Sequence, residues 1–172
     1  MYNYLALGPY KGSYRDIAKR VKSLDRDALI QAVPALRRVL PPDAILVPMP
    51  SHTGKPEFTA VICKALSLLS RRPVCDCLRC TPHESLRTLK NTEFLQGLPK
   101  GNLMPPPGSL GFRLVKDLPA FGTPVVIDNV IASGTTGVAA LSLLGEKAVL
   151  LVIADDVTFP KRPEMQNGKR KA

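Results

Sequence analysis

Between Thr123 and Gly145 the chain reads TPVVIDNVIASGTTGVAALSLLG. An apolar run suited to a buried strand passes, through an acid, an amide and a cluster of small residues, into an apolar helical run closed by glycine. KAVLLVIADD follows at 147–156 and reads as a second buried strand. Two apolar strands separated by one helix form a βαβ unit, which needs a parallel sheet covered by helices.

The rest of the chain repeats this alternation. Tyr14–Leu24 reads as a short basic helix and Asp25–Leu40 as a longer one, with Leu29, Ile30, Val33, Leu36 and Val39 at helical spacing, Pro34 inside and Pro41 and Pro42 at its end. AILVPMP (44–50) reads as a buried strand, SHTGKPE as a loop, Phe58–Leu69 as an apolar-faced helix, and VCDCLRC (74–80) as a strand with Val74, Leu78 and Cys80 on one face. Residues 81–111, rich in Pro and Gly, show no regular pattern and read as an insertion, the kind of long segment that is usually functional. The expected fold is α/β: a mainly parallel twisted sheet flanked by helices, one domain over 1–160, with 161–172 a basic, disordered tail.

The chain has 172 residues, 45% of them apolar, enough for one core. No apolar run approaches the roughly 20 residues of a membrane helix, and the N-terminus reads as no signal peptide, so a cytoplasmic protein without membrane partners is expected. The net charge of +10 suits anionic partners, either nucleic acid or a phosphate-rich small molecule. Cys75, Cys77, Cys80 and His83 present zinc-type ligands. Their spacing fits neither a finger nor a ribbon, and their strand-like alternation favours buried reduced thiols.

Ligands of such sheets sit beyond the carboxyl ends of the strands. Two loops there carry chemistry. In DNVIASGTT, small residues allow backbone N–H groups to turn inward, Ser133, Thr135 and Thr136 add hydroxyls, and the following helix presents its positive end. Asp128 precedes this cradle and suits a neutral polyol or a hydrated cation. Phosphate donors beside a hydroxyl acceptor point to a sugar phosphate; an ordinary capped strand-to-helix turn is the competing reading. The loop is neither a Walker sequence nor a dinucleotide fingerprint.

IDNVIASGTTG resembles the motif with which type I phosphoribosyltransferases bind phosphoribosyl pyrophosphate (PRPP), and GPYKGSYRDIAKRVKSL followed by AILVPMPSH resembles their ComF-like branch. The resemblance spans roughly 8–156 and implies a single phosphoribosyltransferase-like domain in which 81–111 forms a hood. By position, it implies that Asp128 and Asn129 meet the ribose hydroxyls and that Ala132, Ser133, Gly134, Thr135 and Thr136 wrap the 5′-phosphate. Ser51, His52, Thr53, Gly54 and Lys55 would form the pyrophosphate loop, with Gly54 allowing close approach. Arg87 and Lys90 would close from the hood, and Asp155 and Asp156 would approach the base.

The implied activity is transfer of ribose 5-phosphate to a nitrogenous base with release of pyrophosphate, in a homodimer, with Mg2+ held mainly through PRPP. The family has two acids where this chain has Asp128-Asn129, and Asn129 lacks the charge that would favour Mg2+ or a cationic anomeric carbon. The alternatives are a non-catalytic PRPP- or nucleotide-binding regulatory protein of the same fold, and a DNA-associated accessory protein acting through the basic surface and tail.

Overall fold

The computed structural model describes residues 1–97, 105–158 and 160–168; within helix 86–95 the side chains at 87, 89, 90, 93 and 94 lie outside the described set. The chain is α/β. Five parallel strands, β1 (Tyr2–Pro9), β2 (Ala44–Pro48), β5 (Thr123–Ile131), β6 (Val149–Asp155) and β7 (Met165–Asn167), form a sheet in the order β2-β5-β6-β1-β7. A two-stranded antiparallel ribbon pairs β3 (Leu78–Arg79) with β4 (Arg113–Leu114).

The helices cover both faces. On one side α1 (Gly12–Arg20), α2 (Arg26–Arg37) and α3 (Phe58–Ser70) pack Ala18, Ala32, Leu36, Ile62 and Leu66 on Leu46, Val125, Ile127, Leu151 and Ile153. On the other, α5 (Thr135–Leu144) packs Val138, Leu141 and Leu144 with Ile45, Val47, Val126, Leu150 and Val152. Neighbouring residues of β2, β5 and β6 alternate between the two cores, as the two-residue period of a strand requires. Both faces of these strands are covered, so their central residues, Ala44–Pro48, Pro124–Ile127 and Val149–Ala154, form apolar runs. No helix among the described residues is long and apolar enough to cross a membrane.

Several elements depart from the sequence reading. Tyr2–Pro9, to which that reading gives no element, is an interior strand between β6 and β7. Its alternation is legible in retrospect: Tyr2, Tyr4 and Ala6 face one core, Leu5 and Leu7 the other. The expected tail supplies β7, so the domain runs past residue 160 to at least Gly168, whose N–H bonds the Tyr4 carbonyl at 2.8 Å. The strand expected over 74–80 is broken. Val74 makes one parallel bridge to Leu46 and is 39% exposed, whereas Cys75, Cys77, Leu78 and Cys80 are all buried. The Cys77 N–H turns back onto the Cys75 carbonyl, which ends the alternation. Helix α2 runs through Pro34, with Asp25 capping its start by accepting the Ala28 N–H at 2.9 Å.

The insertion contains α4 (Leu86–Leu95) and a 3-10 turn at Pro107–Leu110. Its ends are tied together by the Thr81 N–H on the Leu110 carbonyl.

Candidate functional site

The chain leaves β2 through α3 toward Val74 on the outer edge of the sheet, and leaves β5 through α5 toward β6. The two helices lie on opposite faces. Adjacent parallel strands whose connections depart in opposite directions part at their carboxyl ends, which is where open α/β sheets bind ligands. A crevice of about 720 Å³ opens there, bounded by Met49–His52 after β2, Asp128–Thr136 at the end of β5, and α1.

The β5 turn is built by one conformation and one contact. Gly134 has φ +83°, and a Cβ there would stand 2.8 Å from Met165 Cγ. Both the left-handed backbone and the close approach require glycine. Ser133 and Thr135 are buried; their hydroxyls bond each other at 2.9 Å, and Ser133 Oγ accepts the Thr135 N–H at 3.3 Å. Their hydroxyls therefore shape the turn. Ala132 and Thr136 are partly exposed to the crevice, and the Thr136 and Gly137 N–H groups have no acceptor among the described residues. The Thr136 N–H and hydroxyl line the crevice and are donors open to an anion at the start of α5, while Gly137 is buried behind them.

A latch from the C-terminal segment backs this turn. The Arg162 N–H donates to the Ser133 carbonyl at 2.7 Å, its Nε to Thr135 Oγ1 at 3.3 Å, and its guanidinium to the Pro105 carbonyl at 2.8 Å. Sequence reading leaves Arg162 in the tail, because only tertiary contact brings β7 beneath the turn.

Asp128 and Asn129 both line the crevice but have different partners. Asp128 lines the crevice, where burial pushes its carboxyl up to about 6, opposed by the Asn129 N–H and by the charge of Lys22. Asp128 Oδ1 accepts that N–H at 2.8 Å. Asn129 is buried, and its Nδ2 donates to the Ala18 carbonyl of α1 at 2.9 Å. The Asn129 amide thus joins α1 to the sheet at the crevice floor, while among the described residues the Asp128 carboxylate accepts only the neighbouring N–H.

The loop after β2 is a tight turn: the Ser51 N–H bonds the Lys55 carbonyl and the Gly54 N–H bonds the Ser51 carbonyl, each at 2.9 Å. Ser51 and His52 line the crevice; Thr53, Gly54 and Lys55 do not. Thr53 Oγ1 bonds Ser51 Oγ and donates to Glu57 Oε1, both at 2.8 Å. Gly54, at φ +95°, is buried where a Cβ would lie 2.7 Å from the Cys80 carbonyl oxygen, so its glycine answers to the chain's own backbone. Cys80 N–H and Sγ in turn hold Gly54 and Ser51 carbonyls.

Burial pushes the Cys80 thiol upward, and pushes Cys77 up to about 12. Among the described residues, no group of three or more His, Cys, Asp or Glu comes together as a metal cage.

Asp156 lines the crevice and accepts the Thr158 hydroxyl at 2.7 Å. Asp155 does not reach it: the carboxylate is buried, accepts the Tyr4 hydroxyl at 2.8 Å and stands 2.9 Å from Lys161 Nζ. The side chains of Arg87 and Lys90 lie outside the described residues.

Sequence reading missed one wall. Arg15, Lys19 and Lys22, together with Tyr10, line the crevice from the α1 side. Their spacing was the available signal, since residues four and three apart share a helix face.

No protein-family model matches the chain, and no curated protein matches it in sequence.

Proposed function

We propose that the chain binds PRPP and transfers its ribose 5-phosphate to a nitrogen nucleophile. The observation that carries this reading is the β5–α5 turn: donor amides at a helix start, shaped by a left-handed Gly134, opening beside Asp128 into a crevice at the switch point of a parallel sheet. In this reading Ala132–Thr136 hold the 5′-phosphate and Asp128 accepts the ribose hydroxyls. Ser51 and His52 meet the pyrophosphate.

The reaction forms a C1–N bond and breaks the C1–O bond, whose electron pair leaves with pyrophosphate; the nucleophile's proton passes to solvent. Such chemistry needs no covalent nucleophile from the protein. It needs positioning and stabilisation of charge. The crevice carboxylates are Asp128 and Asp156, which fits an ion of the Mg2+ type held mostly by ligand oxygens. That ion supplies neutralisation of the leaving group when bound.

One observation favours a second reading, binding without turnover. Residue 129 is Asn, with its amide bonded to the Ala18 carbonyl, so the β5 segment presents one acid where the type I motif presents two. Pyrophosphate release on adding PRPP, Mg2+ and a panel of bases supports the transferase. Saturable PRPP binding with no release across the panel supports the binding protein. No calorimetric heat with either PRPP or ribose 5-phosphate refutes both.

A further inference from the structure

The α1 wall carries more positive charge than the phosphate turn accounts for. Arg15, Lys19 and Lys22 follow one another at helical spacing, covering about 10 Å along the axis. The two acids nearest them in sequence are already taken: Asp16 and Asp25 both accept from Arg20, at 3.2 and 2.7 Å, on the side that seals α1 to α2. Among the described residues no carboxylate stands within ion-pair distance of Arg15, Lys19 or Lys22. Two of the three lie instead over aromatic rings, Arg15 over Tyr10 and Lys22 over Phe58, each 5.8 Å from the centroid. Both rings also line the crevice.

We propose that this wall is the acceptor subsite of the crevice, and that it selects a planar nitrogen heterocycle bearing a carboxylate. The proposal rests on the reading above, in which the β5 turn takes the phosphate and the β2 loop the pyrophosphate, leaving the α1 side for the acceptor. Rings beside cations suit a flat, anionic partner: the partly exposed Tyr10 ring meets its ring, and Arg15 and Lys19, one helical turn apart, meet its acid group, while Lys22 faces Asp128. Asp128 and Asp156 share the crevice and would repel an acid on their side, which orients the carboxylate toward α1. Neutral bases gain the ring contact alone.

Isothermal calorimetry on the full chain, with and without saturating ribose 5-phosphate, tests this with pyridine and pyrimidine carboxylates and their carboxamides. The acids should bind at least tenfold tighter than the amides at low salt, and the difference should shrink as salt rises. Arg15→Gln with Lys19→Gln, both exposed positions, should bring the acids to the level of the amides at an unchanged melting temperature.

Equal binding of acids and amides would overturn the proposal. So would a double variant that keeps the acid preference, or one that loses affinity for inorganic pyrophosphate instead. A wild-type chain that ignores ribose 5-phosphate yet prefers acids would sink the transferase reading and leave the anion-selective wall standing.

Discussion

The Asn129 side-chain amide donates to the main-chain carbonyl of Ala18, 111 positions earlier in the chain, at 2.9 Å. Both groups are buried, so this bond fastens the end of α1 to the end of β5 beneath the crevice. Asn129→Asp would replace the donor with an acceptor facing a carbonyl. The variant should lose roughly 2–4 kcal/mol of stability, from an unsatisfied carbonyl and a buried charge. Thermal melts should show a drop of about 5–15 °C. A stable Asn129→Asp variant would show that α1 is held by other contacts. The two-acid motif of type I phosphoribosyltransferases cannot be restored here by this exchange without disturbing the α1 joint.

If Asp128 holds the ribose as proposed, binding should depend on pH. The folded Asp128 pKa of about 6 lies above the ordinary 3.8, so ionising it disfavours the folded state; the penalty is absent below pH 3.8, grows through the interval and is full above 6. Asp128→Asn should therefore stabilise the protein by about 2 kcal/mol at pH 8 and by nothing near pH 3.5, read as a difference in denaturation midpoints. The same variant should weaken ribose 5-phosphate binding at pH 8, because ribose hydroxyls need an acceptor. Wild-type affinity should fall as pH drops below 6. Lys22→Gln should move that midpoint upward, since the Lys22 charge holds the Asp128 carboxyl down. A flat pH profile would remove Asp128 from the ligand site.

Gly134→Ala tests the turn. Alanine must adopt φ +83° and displace Met165, for a cost of about 1–3 kcal/mol and at least a tenfold loss of ribose 5-phosphate affinity. Adding Met165→Ala removes the steric clash but truncates a buried core side chain, so the double variant should lose less stability than the sum of the two single variants. Phosphate affinity that survives Gly134→Ala would mean that the turn amides do not contact the ligand.

Arg162→Ala removes the guanidinium bonds to Thr135 Oγ1 and the Pro105 carbonyl. Stability should fall by about 1–3 kcal/mol, and ribose 5-phosphate affinity several-fold, as the turn loses its backing. Arg162→Lys should restore only part of both, since an ammonium cannot span two acceptors as a planar fork does. Calorimetry beside thermal melts separates the two effects. Unchanged affinity in a destabilised Arg162→Ala protein would make the latch purely structural.

The alternation of apolar strands and helices was enough to fix the α/β class, because strands covered on both faces read as apolar runs, as β2, Pro124–Ile127 of β5 and Val149–Ala154 of β6 do. The sequence likewise located the β5–α5 turn, since few residue types fit a sharp strand-to-helix passage. What it could not carry was anything set by distant neighbours. Tyr2–Pro9 becomes an interior strand only because β6 and β7 lie on either side of it, and β7 itself comes from a segment whose basic composition reads as solvent-exposed. The bond from the Asn129 amide to the Ala18 carbonyl was equally invisible, because it depends on which acceptor tertiary packing brings within reach. Arg15, Lys19 and Lys22 looked like an ordinary solvated helix face. They line a crevice because α1 packs across the carboxyl ends of the strands, and the direction of a helix face is decided by what it packs against.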